Sequence, residues 1–184
     1  HDEVINEGNT AAPLMLLYHF NFGWPLVDEG TDIIWKGTHR VASDPQLLGV
    51  KDIKKCPQPL ELHKGSGESV IYIDPEADAE HKVHCGLWNK ERDLGLRITF
   101  DKRELPCLTN WHHFAEHEYV TGIEPGTNPP IGQKAARESN TLTSLAPGEK
   151  KEMTLTLTIL ASNLPKSKED IDFFINWIDE NYED

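Results

Sequence analysis

Met153, Leu155, Leu157 and Ile159 alternate with Thr154, Thr156 and Thr158, and this run constrains the fold of the chain more than any other. A period of two belongs to a β-strand, and β-branched threonines suit its solvent or inter-sheet face. Ala146-Pro147-Gly148-Glu149 just before it reads as a turn. Leu94, Leu96, Ile98 and Phe100 alternate with Gly95, Arg97 and Thr99 in the same way, and Tyr119–Glu124 forms a further strand that Pro125 is expected to stop. Leu14–Phe22 is a continuous apolar and aromatic run, which predicts a strand buried on both faces. Ser69–Ile73 and Lys82–Trp88 are expected to pair across the polar Asp74–His81 connection, and the Pro/Gly/Asn-rich 126–144 segment to form a long loop.

Helical periodicity is clear only near the C-terminus. Ser167 is a candidate N-cap with Asp170 three residues on, and Ile171, Phe174, Ile175 and Ile178 then fall on one stripe. The expected architecture is an all-β antiparallel sandwich over residues 1–163, followed by an acidic α-helix over 164–184. With 184 residues the chain suffices for one domain and not comfortably for two, and its Trp, Phe and Tyr residues can furnish a core.

The formal net charge is −13, but it is unevenly spread. Seven acids between Glu169 and Asp184, with no Lys or Arg among them, put −7 on the last sixteen residues and leave −6 on the first 168. Such a balance excludes a general binder of the nucleic-acid backbone and does not favour an anionic membrane. No window approaches a membrane span, and no stretch of the sequence is expected to act as a signal peptide. Cys56, Cys85 and Cys107 have neither disulfide nor zinc-ribbon spacing, so reduced, partly buried thiols in a cytoplasmic protein are expected. The sequence opens at His1 within a strand-like passage, which reads as a processed product or the back portion of a longer protein.

Three strings could carry chemistry. In Tyr18-His19-Phe20-Asn21-Phe22-Gly23 a histidine lies inside an aromatic run. There burial would lower its pKa and a carboxylate would raise it, so that it could donate a proton near neutrality; the plainer reading is a core histidine bonded to a carbonyl. In Gly122-Ile123-Glu124-Pro125, Glu124 is expected at a sheet rim, either displayed for acid–base work or merely solvated. His113-x-x-Glu116-His117 matches an inverted zincin string, but it needs a helix to bring both histidines to one metal. In a strand they would stand ~13 Å apart, so no metal site is assigned and no cofactor is implied. Trp24, Trp35, Trp88 and Trp111 could either stack on sugar faces or serve as packing. Gly65-Ser66-Gly67 is a flexible turn without the Lys-Ser/Thr of a phosphate loop.

The first two strings, about a hundred residues apart and with Leu105-Pro106 and Trp111 between them, resemble the galactose mutarotase-like superfamily, and within it an aldose 1-epimerase family branch. The resemblance covers residues 1–161. It implies a β-supersandwich of which this chain is the C-terminal half, with His19 as general acid, Glu124 as general base, and Asn21, Trp111 and Arg137 as substrate contacts. The implied partner is a monosaccharide or sugar derivative, together with an N-terminal half or a homo-oligomer partner. The implied activity is interconversion of sugar anomers. A non-catalytic carbohydrate-binding or regulatory module, and a lyase or epimerase on a modified sugar using the same pair, are the alternatives. Tyr18 departs from the family's Asn before the histidine, and the family's front half, which contributes a further His and an Arg, is expected to lie outside this sequence.

Overall fold

The structure, a computed structural model, describes residues 1–42, 50 and 52–161. The chain forms strands Asp2–Ile5 (β1), Ala12–Leu14 (β2), Phe20–Phe22 (β3), Asp32–Ile34 (β4), Gly37–Val41 (β5), Ser69–Pro75 (β6), Lys82–Asn89 (β7), Leu94–Asp101 (β8), Cys107–Ala115 (β9) and Glu118–Gly126 (β10). Helix α1 (Gln133–Glu138) and strands Thr143–Leu145 (β11), Lys150–Met153 (β12) and Leu155–Ala161 (β13) complete it. A five-stranded antiparallel sheet, ordered β3-β10-β9-β6-β5, packs on a four-stranded sheet ordered β13-β8-β7-β4. Two small pairs, β1 with β12 and β2 with β11, flank them. The expected helix of the 164–184 segment lies outside the described residues.

Alternation builds the core. Ile71, Ile73, Leu108, Phe114 and Ile123 of the larger sheet meet Val83, Cys85, Leu87, Leu96, Ile98 and Phe100 of the smaller, all at most 5% exposed. Each such side chain contributes about 1.5–3 kcal/mol on burial. Cys56, Cys85 and Cys107 are free thiols, the first two buried. Among the described residues no helix is long and apolar enough to cross a membrane.

Several local expectations give way to this arrangement. β6 and β7 do not pair: β6 lies between β5 and β9, and β7 between β4 and β8, so the connection after Pro75 carries the chain from one sheet to the other. Both strands turn an apolar face to the same core, which a hairpin within one sheet would also do, so their patterns cannot tell the two apart. The 153–159 alternation is divided at Thr154, whose N–H donates to Glu104 Oε2 at 2.8 Å; β12 before it pairs with β1, and β13 after it with β8. Leu14–Phe22 is two short strands with a partly exposed link, because Leu16 and Tyr18 bond to the end of β10 and the loop after it. β10 continues through Pro125, where Tyr18 N–H donates to the proline carbonyl at 2.9 Å and no N–H is called for. The 126–144 segment contains α1.

Asp101 pins the end of β8. Its buried carboxylate accepts from Arg103 Nε at 2.8 Å and Lys82 Nζ at 3.3 Å, and Arg103 beside it holds its pKa well below the usual carboxylate range. A depressed pKa contributes stability above the unfolded-state value that is lost as pH falls through the folded one. Asp101→Asn is therefore expected to lower stability by about 1.5–3 kcal/mol at pH 7, nearer the lower figure because Arg103 is exposed, and by progressively less below about pH 4. Urea titrations across that range check it; a penalty that does not change with pH would contradict the assignment.

Candidate active site

The outer face of the five-stranded sheet follows from strand register. Asn21, Gly122, Trp111 and Val70 stand in one row across β3, β10, β9 and β6. The adjacent row holds Glu124, Thr109, Tyr72 and Arg40. Phe20 pairs with Ile123 and Tyr18 N–H reaches Pro125, so His19 arrives beside Glu124 on the outer face while Phe20 packs against the core. Strand alternation thus separates the histidine from the aromatic residues that flank it in sequence. Its side chain is 50% exposed, contrary to the shielding expected of an aromatic run.

Glu124 also differs from expectation. It sits inside β10 rather than at a rim, and its side chain is only 3% exposed. Nε2 of His19 comes within 3.1 Å of Glu124 Oε1, yet no donor is aligned on that buried oxygen, which leaves it an open acceptor. Burial pushes the Glu124 pKa up, His19 opposes this, and the charge of Glu68 adds to it. Gly122, two residues earlier on the same face, makes room for the carboxylate: a Cβ there would lie closer than 3.0 Å to Glu124 Oε1.

The indole of Trp111 flanks the pair, its centroid 6.0 Å from the His19 ring at a 57° tilt. It stacks on His113 at 5.8 Å and 7°. Beneath this face, Asn110 donates to Gly122 O at 2.8 Å and to Thr121 Oγ1 at 3.0 Å, and its own Oδ1 lies 2.7 Å from His112 Nε2. Burial pushes the His112 pKa down to about 3, so this ring stays neutral and acts as scaffold.

The structure therefore brings His19, Asn21, Trp111 and Glu124 together. Arg137 stands exposed in the last turn of α1, outside the contacts that join the other four. His113 lies in β9 and His117 in the turn that follows, so the zincin-like string forms no helical face; among the described residues no group of three potential metal ligands converges. Two residues escaped the sequence reading. Gly122 was legible in principle as a small residue sharing a strand face with Glu124. Glu68 stands between the Gly65-Ser66-Gly67 turn and the strand that begins at Ser69, and nothing local shows that it reaches Trp111.

The fold has counterparts among solved structures. A protein from Klebsiella pneumoniae subsp. pneumoniae MGH 78578, described as a "putative aldose 1-epimerase", superposes with a TM-score of 0.82 at 29% identity, over 99% of this chain and 46% of that one. A galactose mutarotase-like protein from Clostridium acetobutylicum gives 0.50 at 18% identity, over 86% of this chain and 51% of that one, a likeness of fold alone. The chain thus spans about half the length of these proteins. A search of curated protein sequences found no match. The model of a domain of unknown function, DUF4432, matches residues 1–159, and the chain belongs to that family, on an antiparallel β-sandwich of the galactose mutarotase-like kind.

Proposed function

We propose that this chain carries the acid–base pair of an aldose 1-epimerase-like site that interconverts sugar anomers. One observation supports the reading above the others: a buried carboxylate, Glu124, with an open acceptor oxygen and a raised pKa, stands 3.1 Å from the exposed imidazole of His19. Two titratable groups in contrasting environments are what coupled proton removal and delivery require.

In this mechanism Glu124 takes the proton of the anomeric hydroxyl while His19 Nε2 delivers one to the ring oxygen. The C1–O5 bond breaks, C1 becomes a carbonyl, and rotation about C1–C2 presents its other face. Closure reverses both transfers: the ring oxygen attacks C1 and returns its proton to His19, and Glu124 protonates the carbonyl oxygen. Trp111 on β9 offers an apolar platform to the C–H face of the ring, and Asn21 on β3, across β10, offers an amide to its hydroxyls.

The test is magnetisation-exchange NMR between the anomers of glucose and galactose. His19→Ala is expected to slow exchange about 10²–10⁴-fold relative to the unaltered chain. Equal rates in the two would end this reading. A carbohydrate-binding module without catalysis is the second reading, favoured by the chain's covering only 46% of the Klebsiella protein. Binding of a sugar at Trp111 with exchange no faster than the spontaneous rate selects it.

A further inference from the structure

Glu68 lies outside both sequence strings that suggested the site, yet three consecutive residues there fasten the wall behind it. His113 Nδ1–H donates to Gly67 O at 2.6 Å, Trp111 Nε1–H donates to Glu68 Oε2 at 2.6 Å, and Ser69 Oγ lies 3.1 Å from His63 Nε2. His63 in turn stacks on His113 at 6.2 Å, and His113 Nε2 lies 3.1 Å from Glu118 Oε2. His113 therefore backs the Trp111 indole, and Glu68 fixes its rotation by holding the N–H edge. Glu68 is exposed, and its other oxygen, Oε1, has no partner among the described residues.

We propose that Glu68 is a specificity-determining residue of the sugar site: it locks the Trp111 indole as the platform under the sugar ring and presents its second carboxylate oxygen to a ring hydroxyl. This rests on the sugar reading given above. An ionised carboxylate accepts hydrogen bonds and cannot donate them, so it selects a hydroxyl at that position on the ring and rejects a deoxy or methoxy group there. Its negative charge also reaches the reacting end, since Glu68 adds to the rise in the Glu124 pKa. The ligand class is thus a neutral pyranose with a free hydroxyl over the N–H edge of Trp111. An anionic group placed there would meet two carboxylates.

Two variants separate platform from hydroxyl contact. Glu68→Gln keeps an oxygen that can accept from Trp111 Nε1–H but replaces the second acceptor with a donor and removes the charge. Glu68→Ala removes both. The probes are methyl β-galactoside and methyl β-glucoside, which cannot exchange anomers, followed through the Trp111 indole N–H signal in the full chain. Glycoside addition is expected to shift that signal in the unaltered protein. Glu68→Ala should displace the signal before any sugar is added and weaken glycoside affinity about tenfold or more. Glu68→Gln should leave the free-protein signal near its original position, weaken affinity less, and move the acid limb of the anomer-exchange profile to lower pH.

Unchanged affinity in Glu68→Ala would overturn the proposal, as would a Trp111 signal that no glycoside moves. Glycosides that shift Trp111 in a Glu68-dependent way, with exchange at the spontaneous rate, would sustain the role of Glu68 while refuting the catalytic reading.

Discussion

Glu124→Gln is expected to cut anomer exchange by about 10²–10⁴-fold and, at the same time, to raise thermal stability at neutral and alkaline pH. The two effects share one cause. Burial makes the ionised form of Glu124 costly, and the attraction of His19 offsets only part of that cost, so the carboxyl titrates above its ordinary range. A group whose folded pKa is raised contributes most stability below the unfolded value, about 4.3 for a glutamate, and loses it as pH rises through the folded value. Glutamine has nearly the same shape and never ionises, so it removes the cost. Calorimetry at pH 4 and pH 8 reads the sign: the melting point of Glu124→Gln should exceed that of the unaltered chain at pH 8, and the gain should shrink or vanish at pH 4. An equal gain at both would mean that desolvation of the carboxylate is not what shifts its pKa. The same displacement sets the acid limb of activity, because Glu124 can accept the anomeric proton only once it is ionised. Exchange should therefore fall away at a pH above the ordinary carboxylate range.

How much of this was written locally in the chain depends on which interactions decide each feature. β8 was legible from Leu94, Leu96, Ile98 and Phe100 because the last three of these are buried in the core on one face of it. The 153–159 run was legible as strand but not as two strands, since period two continues unbroken through Thr154 while its partners change from β1 to β8. Likewise the patterns of β6 and β7 state that each has a buried face, and only tertiary packing decides that they belong to opposite sheets. Within the site, residue types were legible and environments were not. Alternation at the entry to β3 exposes His19 although its neighbours are aromatic, and pairing of β10 on both edges buries Glu124 although a proline follows it. The link from Glu68 to Trp111 spans forty-three positions and arises from β6–β9 pairing, which no local string encodes.

Gly122→Ala is expected to lower anomer exchange about a hundredfold while leaving the fold intact. In a strand, residues two apart share a face, so the new methyl would project beside the Glu124 side chain, closer than 3.0 Å to its Oε1 and 3.3 Å from Trp111 Cβ. The backbone cannot relieve this contact cheaply, because β10 is held by β9 on one edge and β3 on the other, and Asn110 anchors the Gly122 carbonyl at 2.8 Å. The mobile partner is the end of the Glu124 side chain. Its carboxylate must swing away, which takes it off the line between His19 and the anomeric oxygen. Misplacement of a reacting group by about 1 Å is enough to cost two orders of magnitude in rate. Glycoside affinity, carried by Trp111 and Asn21, should change much less, so the loss appears in kcat rather than KM. A double variant provides the decisive measurement. If Gly122 acts only by making room for the carboxylate, Gly122→Ala adds little to the loss already caused by Glu124→Gln, and the two effects are strongly non-additive. Additive losses would show that the glycine serves the site by some route other than Glu124.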